Sequence, residues 1–436
     1  MKKWLLMVLL IGMMGVPVLG QDTIAVYKDE LLEKVAQTNL SVQLAQKDAE
    51  MAMADYRQSH SLFLPSVQLS HTATYTNNPL MAFGTRLNQE ILTQEDFNPD
   101  LLNNPDPIDN YATEILVMQP LFNLDGIHER EAAKIKSEAT LLQRQRTQEY
   151  VAFEAMKTYM QLQMGYDAVD VLQRAKQAAT KGVSMVQDYY EQGMVRQSDV
   201  LSAQVRLGEV DNQLTEAMAN VRNGSDYLAL LTGEESGGQV YMPADRLIDE
   251  TIMITLSDSL NGSRKDLQAM EMSVLGYAQM AQARKSSFLP RVNAFGSFQF
   301  YDDRLFGFDA SGYLLGVSLS WKLFDGYKSI GKVQKAQAEH EKAKIANEQY
   351  VKQNQLEWDK SKRQLAVADK KLALSRLAME QSEEAYRITK DRFQEGMEKT
   401  TDYLMAETQY YSKALEYRRA IFEYNLTSEY LKFLTR

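Results

Sequence analysis

Ser329 and Lys332 stand at the Ser-x-x-Lys spacing at which a lysine amine can draw the proton from an acyl-accepting serine. The companion motifs of such enzymes are missing, and the pair opens a long helical pattern, so the spacing is read as coincidence. His60, His71, His128 and His340 are scattered, with no pair at the spacing of metal ligands. No glycine-rich loop of the kind that cradles phosphate occurs. Cysteine is absent, which removes disulfides, thiolate metal sites, cysteine nucleophiles and a lipid-bearing N-terminal cysteine. The 22 methionines could ligate a soft ion such as copper or silver. Four of them fall in the first twenty residues, and most others sit at helical spacing among Ala and Leu, where packing explains them. The residues assemble no enzyme, and they call for no cofactor or metal. A net charge of −10, from 48 basic and 58 acidic residues, repels phosphate backbones and excludes nucleic acid as a partner.

What stands out instead is a pair of aspartates in a repeated setting. Tyr190-Glu191-Gln192-Gly193-Met194, followed by Ser198-Asp199-Val200-Leu201 and Ala203, returns as Phe393-Gln394-Glu395-Gly396-Met397, followed by Thr401-Asp402-Tyr403-Leu404 and Ala406. The two glycines and the two aspartates recur at the same separation of 203 positions. Phe63-Leu64-Pro65-Ser66-Val67 returns as Phe288-Leu289-Pro290-Arg291-Val292, and Pro120-Leu121-Phe122-Asn123-Leu124-Asp125-Gly126 returns, shortened, as Lys322-Leu323-Phe324-Asp325-Gly326. Three matched blocks in one order mark a tandem duplication. The expected segments are a leader at 1–20, a first repeat at 21–233, a connector at 234–257 and a second repeat at 258–436.

The leader reads as a signal peptide. Lys2 and Lys3 precede an apolar run from Trp4 to Val16, Pro17 breaks it, and Val18-Leu19-Gly20 offers a cleavage site before Gln21. A retained membrane anchor is the competing reading, but the run falls short of the ~20 residues that span a bilayer. The mature chain is then periplasmic, or it crosses a membrane on strands.

Each repeat reads as helix, two strands, very long helix, tight turn, helix. The opening helices are expected over Val26 to Ser59 and Asp258 to Lys285, both rich in Ala, Gln, Met and Leu. The period then changes to two. Val67, Leu69, His71, Ala73 and Tyr75 oppose Ser66, Gln68, Ser70, Thr72 and Thr74. Val292 to Phe300 and Tyr313 to Trp321 alternate in the same way, and Thr113 to Leu121 less cleanly. Strands of about ten residues with one apolar and one polar face suit a barrel with lipid outside and water inside. A soluble sheet with one solvated face is the bland alternative. Four strands cannot close a barrel, and lipid tolerates no open sheet edge, so membrane-spanning strands must be shared between chains, two or three of them. The stretch from Asn77 to Tyr111 reads as a long outer loop rich in Asn, Pro and Asp, and that around Tyr301 to Ser311 as a short one.

From Tyr327 to Glu395 there is no proline and one glycine, Gly331; a helix of that length reaches ~100 Å. Ala203, Leu207, Val210, Leu214, Ala217 and Val221 step by fours and threes, as do Tyr410, Ala414, Tyr417, Ile421 and Tyr424, the period of a coiled-coil seam.

At the repeated Leu-Pro strand entry, the Pro-Leu-Phe…Asp-Gly strand exit, the Gly-Met…Asp-Val-Leu-x-Ala turn and the Arg264-Lys265-Asp266-Leu267 run, the chain resembles the TolC family of outer-membrane efflux and secretion proteins. The resemblance covers everything after the leader. It implies an α+β, mostly helical fold: a homotrimeric tube with a shared twelve-stranded transmembrane β-barrel and a long periplasmic α-helical barrel. It implies a passive conduit for efflux or type I secretion, driven by an inner-membrane pump through a periplasmic adaptor protein, with no catalysis. The adaptor would dock on the hairpin tips, Gly193, Met194 and Val195 with Gly396 and Met397. Asp199 and Asp402 would recur around the periplasmic aperture as a ring attracting cations; as helix caps they would need no pore, and both roles are compatible. Where the family's best-known members place an arginine and a tyrosine that hold the gate shut, this chain has Glu398 and Phe393, and Met405 replaces their second pore aspartate. If the gate closes here, other bonds must hold it, and Arg196 or Lys399 are candidate partners for Asp199 or Asp402. Against the conduit stand a trimeric surface adhesin, whose anchor strands would lie together at the C-terminus, and a periplasmic coiled-coil scaffold without a pore.

Overall fold

The computed structural model describes residues 23–235, 238–249 and 263–436. The expected signal peptide, part of the connector and the first residues of the second opening helix lie outside the described residues. In chain order the elements are β1 (Thr23–Val26), α1 (Lys28–Thr38), α2 (Leu40–Gln58), β2 (Ser66–Thr76), α3 (Pro79–Asn88), α4 (Pro99–Asn103), β3 (Ile108–Phe122), α5 (Leu124–Glu191) and α6 (Gln197–Leu231). They continue with β4 (Val240–Pro243), α7 (Lys265–Ser286), β5 (Arg291–Asp302), β6 (Ala310–Ser320), α8 (Lys328–Gln394) and α9 (Thr400–Thr435). Among the described residues no helix is long and apolar enough to cross a membrane.

These elements gather into two compact units, each drawn from both repeats. One unit holds all four long strands. They form a single antiparallel sheet in the order β2-β3-β5-β6, so β3 and β5 join the strand pairs of the two repeats and β2 and β6 are left as edges. Pairing carries Leu69 opposite Ile115, Ile115 opposite Phe298 and Phe298 opposite Tyr313. This row and its neighbours make one apolar face, on which Val67, Tyr75, Leu315, Val317 and Leu319 are exposed. The other face carries Gln68, Ser70, Thr72, Glu114, Ser297 and Gln299, with Leu116, Met118, Phe295 and Leu314 as its apolar exceptions, matching the weaker alternation of β3. Behind the strands the helices close on alanine: Ala49 and Ala52 of α2, Ala132 and Ala139 of α5, and Ala269, Ala281 and Ala283 of α7 are buried. Small side chains let helix axes approach, which suits side-by-side packing.

Arg264 and Asp266 seat the start of α7. Arg264 is buried and donates to Asp266 and to Asn354, while Tyr350 donates to the same carboxylate at 2.8 Å and Arg146 lies 3.4 Å from it. Burial pushes the Asp266 carboxyl upward, but these hydrogen bonds and positive charges outweigh it and hold it below the usual carboxylate range.

The long stretch from Asn77 to Tyr111 is more ordered than its composition suggests. α3 and α4 both begin at an Asn-Pro pair, with Asn78 and Asn98 accepting hydrogen bonds from the backbone of the first turn and proline at the next position. Proline there loses no hydrogen bond, and asparagine is a strong cap. The first opening helix also differs from expectation. Thr23–Val26 pairs in parallel with Val240–Pro243, and the helix breaks at buried Asn39. The Asn39 carboxamide accepts from Ser41 and Val42 and donates to the Leu231 carbonyl, so it restarts the helix as α2 while tying it to the end of α6.

Candidate functional site

The second unit holds both helical hairpins, α5–α6 and α8–α9 in their turn-proximal parts. Each turn has the same backbone. Gly193 and Gly396 take φ of +75° and +74°, and each donates to a carbonyl three residues back. Met194 and Met397 then donate to the carbonyls of Tyr189 and Arg392, which completes a Schellman cap. A left-handed residue is needed there, and glycine adopts that conformation without steric cost. The side chains of Met194 and Met397 are exposed, and Val195 is half-buried.

The aspartates divide. Asp199 accepts from the backbone N–H of Arg196 at 2.8 Å and so closes the first turn of α6. Asp402 lies at the matching place in α9, exposed, and its carboxylate takes no hydrogen bond or ion pair among the described residues. Within the one chain, Arg196 offers its main chain to Asp199, not its guanidinium, and a backbone hydrogen bond joins Asp402 to Lys399. Asp199→Ala should therefore cost about 0.5–2 kcal/mol of stability, and Asp402→Ala close to nothing. Thermal midpoints of the two variants check this; equal losses would show that the cap is not what distinguishes them.

Glu398 is half-buried and ion-paired with Arg392 at 3.0 Å, within its own hairpin. Met405 is 70% exposed. Phe393 is buried within the chain. It is 1% exposed, stacked on Tyr403 with centroids 4.9 Å apart and tilted against Tyr189 at 5.4 Å. The Tyr189 hydroxyl donates to the Gln394 carbonyl at 2.8 Å, so Phe393 is a core residue binding one hairpin to the other.

Behind Phe393 lies a site that sequence reading missed. Glu407 is fully buried; the Tyr403 hydroxyl lies beside its carboxylate, but neither oxygen has a well-aligned hydrogen bond among the described residues. Its ion partner is Arg206 of α6, 8% exposed, with Nε 3.7 Å from the carboxylate. Tyr386, Tyr403 and Tyr411 surround the pair, and Lys390 and Glu209 flank it. Burial pushes the Glu407 carboxyl up despite the guanidinium, and pushes the Tyr403 hydroxyl up to about 12. The signal lay in the seams. The buried row of α6 runs Val200, Ala203, Arg206, Val210, Leu214, Ala217, Val221, with Leu207 only half-buried. That of α9 runs Tyr403, Glu407, Tyr411, Ala414, Tyr417, Ile421, Tyr424, with Tyr411 in place of Tyr410. A charged residue at a seam position on each helix is the clue.

An antiparallel sheet with one lipid-compatible face, carried by a chain whose helices run to 67 and 68 residues before reversing at glycine turns, defines the outer-membrane channel class. The chain belongs to the outer membrane efflux protein family, whose sequence profile matches residues 31–234 and 256–434. Comparison with curated protein sequences gives no match. Among solved structures, the CmeC outer membrane channel of Campylobacter jejuni superposes with a TM-score of 0.82 at 14% identity, over 94% of this chain and 85% of that one. VceC of Vibrio cholerae gives 0.77 at 18% identity, over 93% and 95%. The open state of the MtrE channel of Neisseria gonorrhoeae gives 0.78 at 16%, over 94% and 88%. At such identities the likeness is one of fold. The protein is an outer-membrane channel component of efflux, a conduit and not a catalyst.

Proposed function

We propose that three copies of this chain share one twelve-stranded barrel, that a periplasmic adaptor docks on the two glycine turns, and that an inner-membrane pump supplies the driving force. The duplication frames the reading: two helix–strand-pair–hairpin repeats, 21–233 and 258–436, joined by 234–257. The observation that carries it is the sheet, apolar on one face and unpaired along both β2 and β6. Unpaired N–H and C=O groups are costly in hydrocarbon, and closure by identical neighbours satisfies them. β6 of one copy then pairs with β2 of the next. The protein should migrate from outer membranes as a heat-sensitive oligomer and conduct ions in planar lipid; a monomer without detergent and without current would refute the assembly.

Asp402 suits an aperture because its carboxylate is exposed and meets no cationic side chain among the described residues; Asp199 serves as a cap on a neutral backbone N–H, and Met405 and Glu398 lie on the same hairpin as Asp402. Asp402→Lys should lower single-channel conductance and cation preference together, since three exposed carboxylates would become three ammonium groups. Unchanged values of both would remove Asp402 from the pore wall.

A further inference from the structure

Among the carboxylates of the four strands, Glu114 lies on the polar face. Ser70 pairs with Glu114, Glu114 with Gln299 and Gln299 with Gly312, so the four form one transverse row on the polar face. The other ionisable residues of the four strands do not compete with Glu114 for that face. His71, Asp109 and Asp302 alternate onto the opposite face, and Arg291, at the helix end of β5, is bound to Asp125. Among the described residues Glu114 has no ion pair, yet it is held. The Gln299 amide donates to Glu114 Oε1 at 2.7 Å, and the Tyr301 hydroxyl donates to the amide oxygen of Gln299. With its oxygen so engaged, the amide turns its NH₂ toward the carboxylate. The donor that orients the group is neutral and brings no countercharge to it.

We propose that Glu114 sets the charge preference of the membrane segment, as a ring of carboxylates facing the lumen that favours cationic solutes over anions. The inference rests on the shared-barrel reading, which supplies the lumen and the threefold repeat. A fixed charge on a low-dielectric wall concentrates counter-ions over about one Debye length, ~10 Å at 0.1 M salt and ~3 Å at 1 M. The ring is separate from the hairpin aspartates, which lie in the other compact unit.

The test is the reversal potential of the purified full-length channel in planar lipid under a KCl gradient. Glu114→Gln should lower the K⁺/Cl⁻ permeability ratio about two- to fourfold near 0.1 M salt and leave it unchanged near 1 M, where screening removes the field. Thr72→Lys is the second variant. Thr72 is exposed on the same face, one step along β2 from the Ser70 row, and its lysine should cancel the preference while leaving Glu114 in place. If Glu114→Gln fails to assemble, Thr72→Lys decides. Wild-type channels whose ratio neither variant moves at 0.1 M would overturn the role of Glu114 and spare the barrel. A shift that persists undiminished at 1 M marks a structural effect and overturns it as well. A wild-type protein that carries no current at all overturns the shared barrel, and this proposal with it.

Discussion

Arg206→Leu is expected to destabilise the hairpin cluster by about 3–5 kcal/mol at neutral pH, because it strands a buried carboxylate without its countercharge. Glu407→Gln in the same chain should restore most of that loss. The pair sits between α6 and α9 among three tyrosine rings, with Glu407 wholly shielded from water, so its charge has no solvent to replace the guanidinium. The dependence on pH follows from the direction in which Glu407 is shifted. Its folded value lies above its unfolded one, so the folded state holds the proton more tightly. Stability from this group is then greatest below the unfolded value and falls as pH rises through the folded value. Removing Arg206 strengthens the shift, so the penalty of Arg206→Leu should shrink between pH 8 and pH 5. Thermal midpoints of the single and double variants at both pH values give the coupling directly. Additive losses, alike at the two pH values, would mean that the pair is not coupled in the fold.

Leu315→Arg is the second large effect. Leu315 is 73% exposed at the middle of β6 on the apolar face, opposite Gly296. An arginine facing lipid near the midplane of a transmembrane barrel costs about 2–4 kcal/mol, and a shared barrel incurs that cost once per chain. The variant should lose the heat-sensitive oligomer from the outer membrane. Ser318→Arg is the control: Ser318 lies three residues along the same strand on the opposite face, paired with Asn293, and should assemble as the wild type does. If the two variants assemble equally well, the apolar face is not the one that meets lipid.

Both predictions depend on knowing which side of an element faces what, and the sequence informs the two cases unequally. In strands the side-chain period is two, so the faces of β2, β5 and β6 can be read residue by residue, and the register confirms them. The glycine turns were equally plain, because a helix reversal needs a left-handed residue and its chemistry is confined to a few neighbours. The long helices are readable as helices and, for most of each seam, in their facing: Ala203, Val210, Leu214, Ala217 and Val221 of α6 and Ala414, Tyr417, Ile421 and Tyr424 of α9 are buried as the period requires. The departures fall at the turn-proximal end, where Arg206 is buried in place of Leu207 and Tyr411 in place of Tyr410, because the surface packed against a helix selects which of two neighbouring positions it covers.

The sequence alone thus determined the period-two strands, the proline-free helices and the glycine reversals, since each depends on residues within a few positions of one another, and the duplicated grammar, since matched blocks are compared without any folding. Tertiary structure decided the rest. It decided that β3 meets β5 across the repeats, that Asn39 breaks a helix to hold the end of α6, that Phe393 is core, and that Glu407 is buried against Arg206. Those outcomes rest on partners about two hundred positions away in the chain. Their reason is physical: local pattern specifies a conformation, whereas burial and pairing are set by whatever surface the rest of the chain brings to meet it.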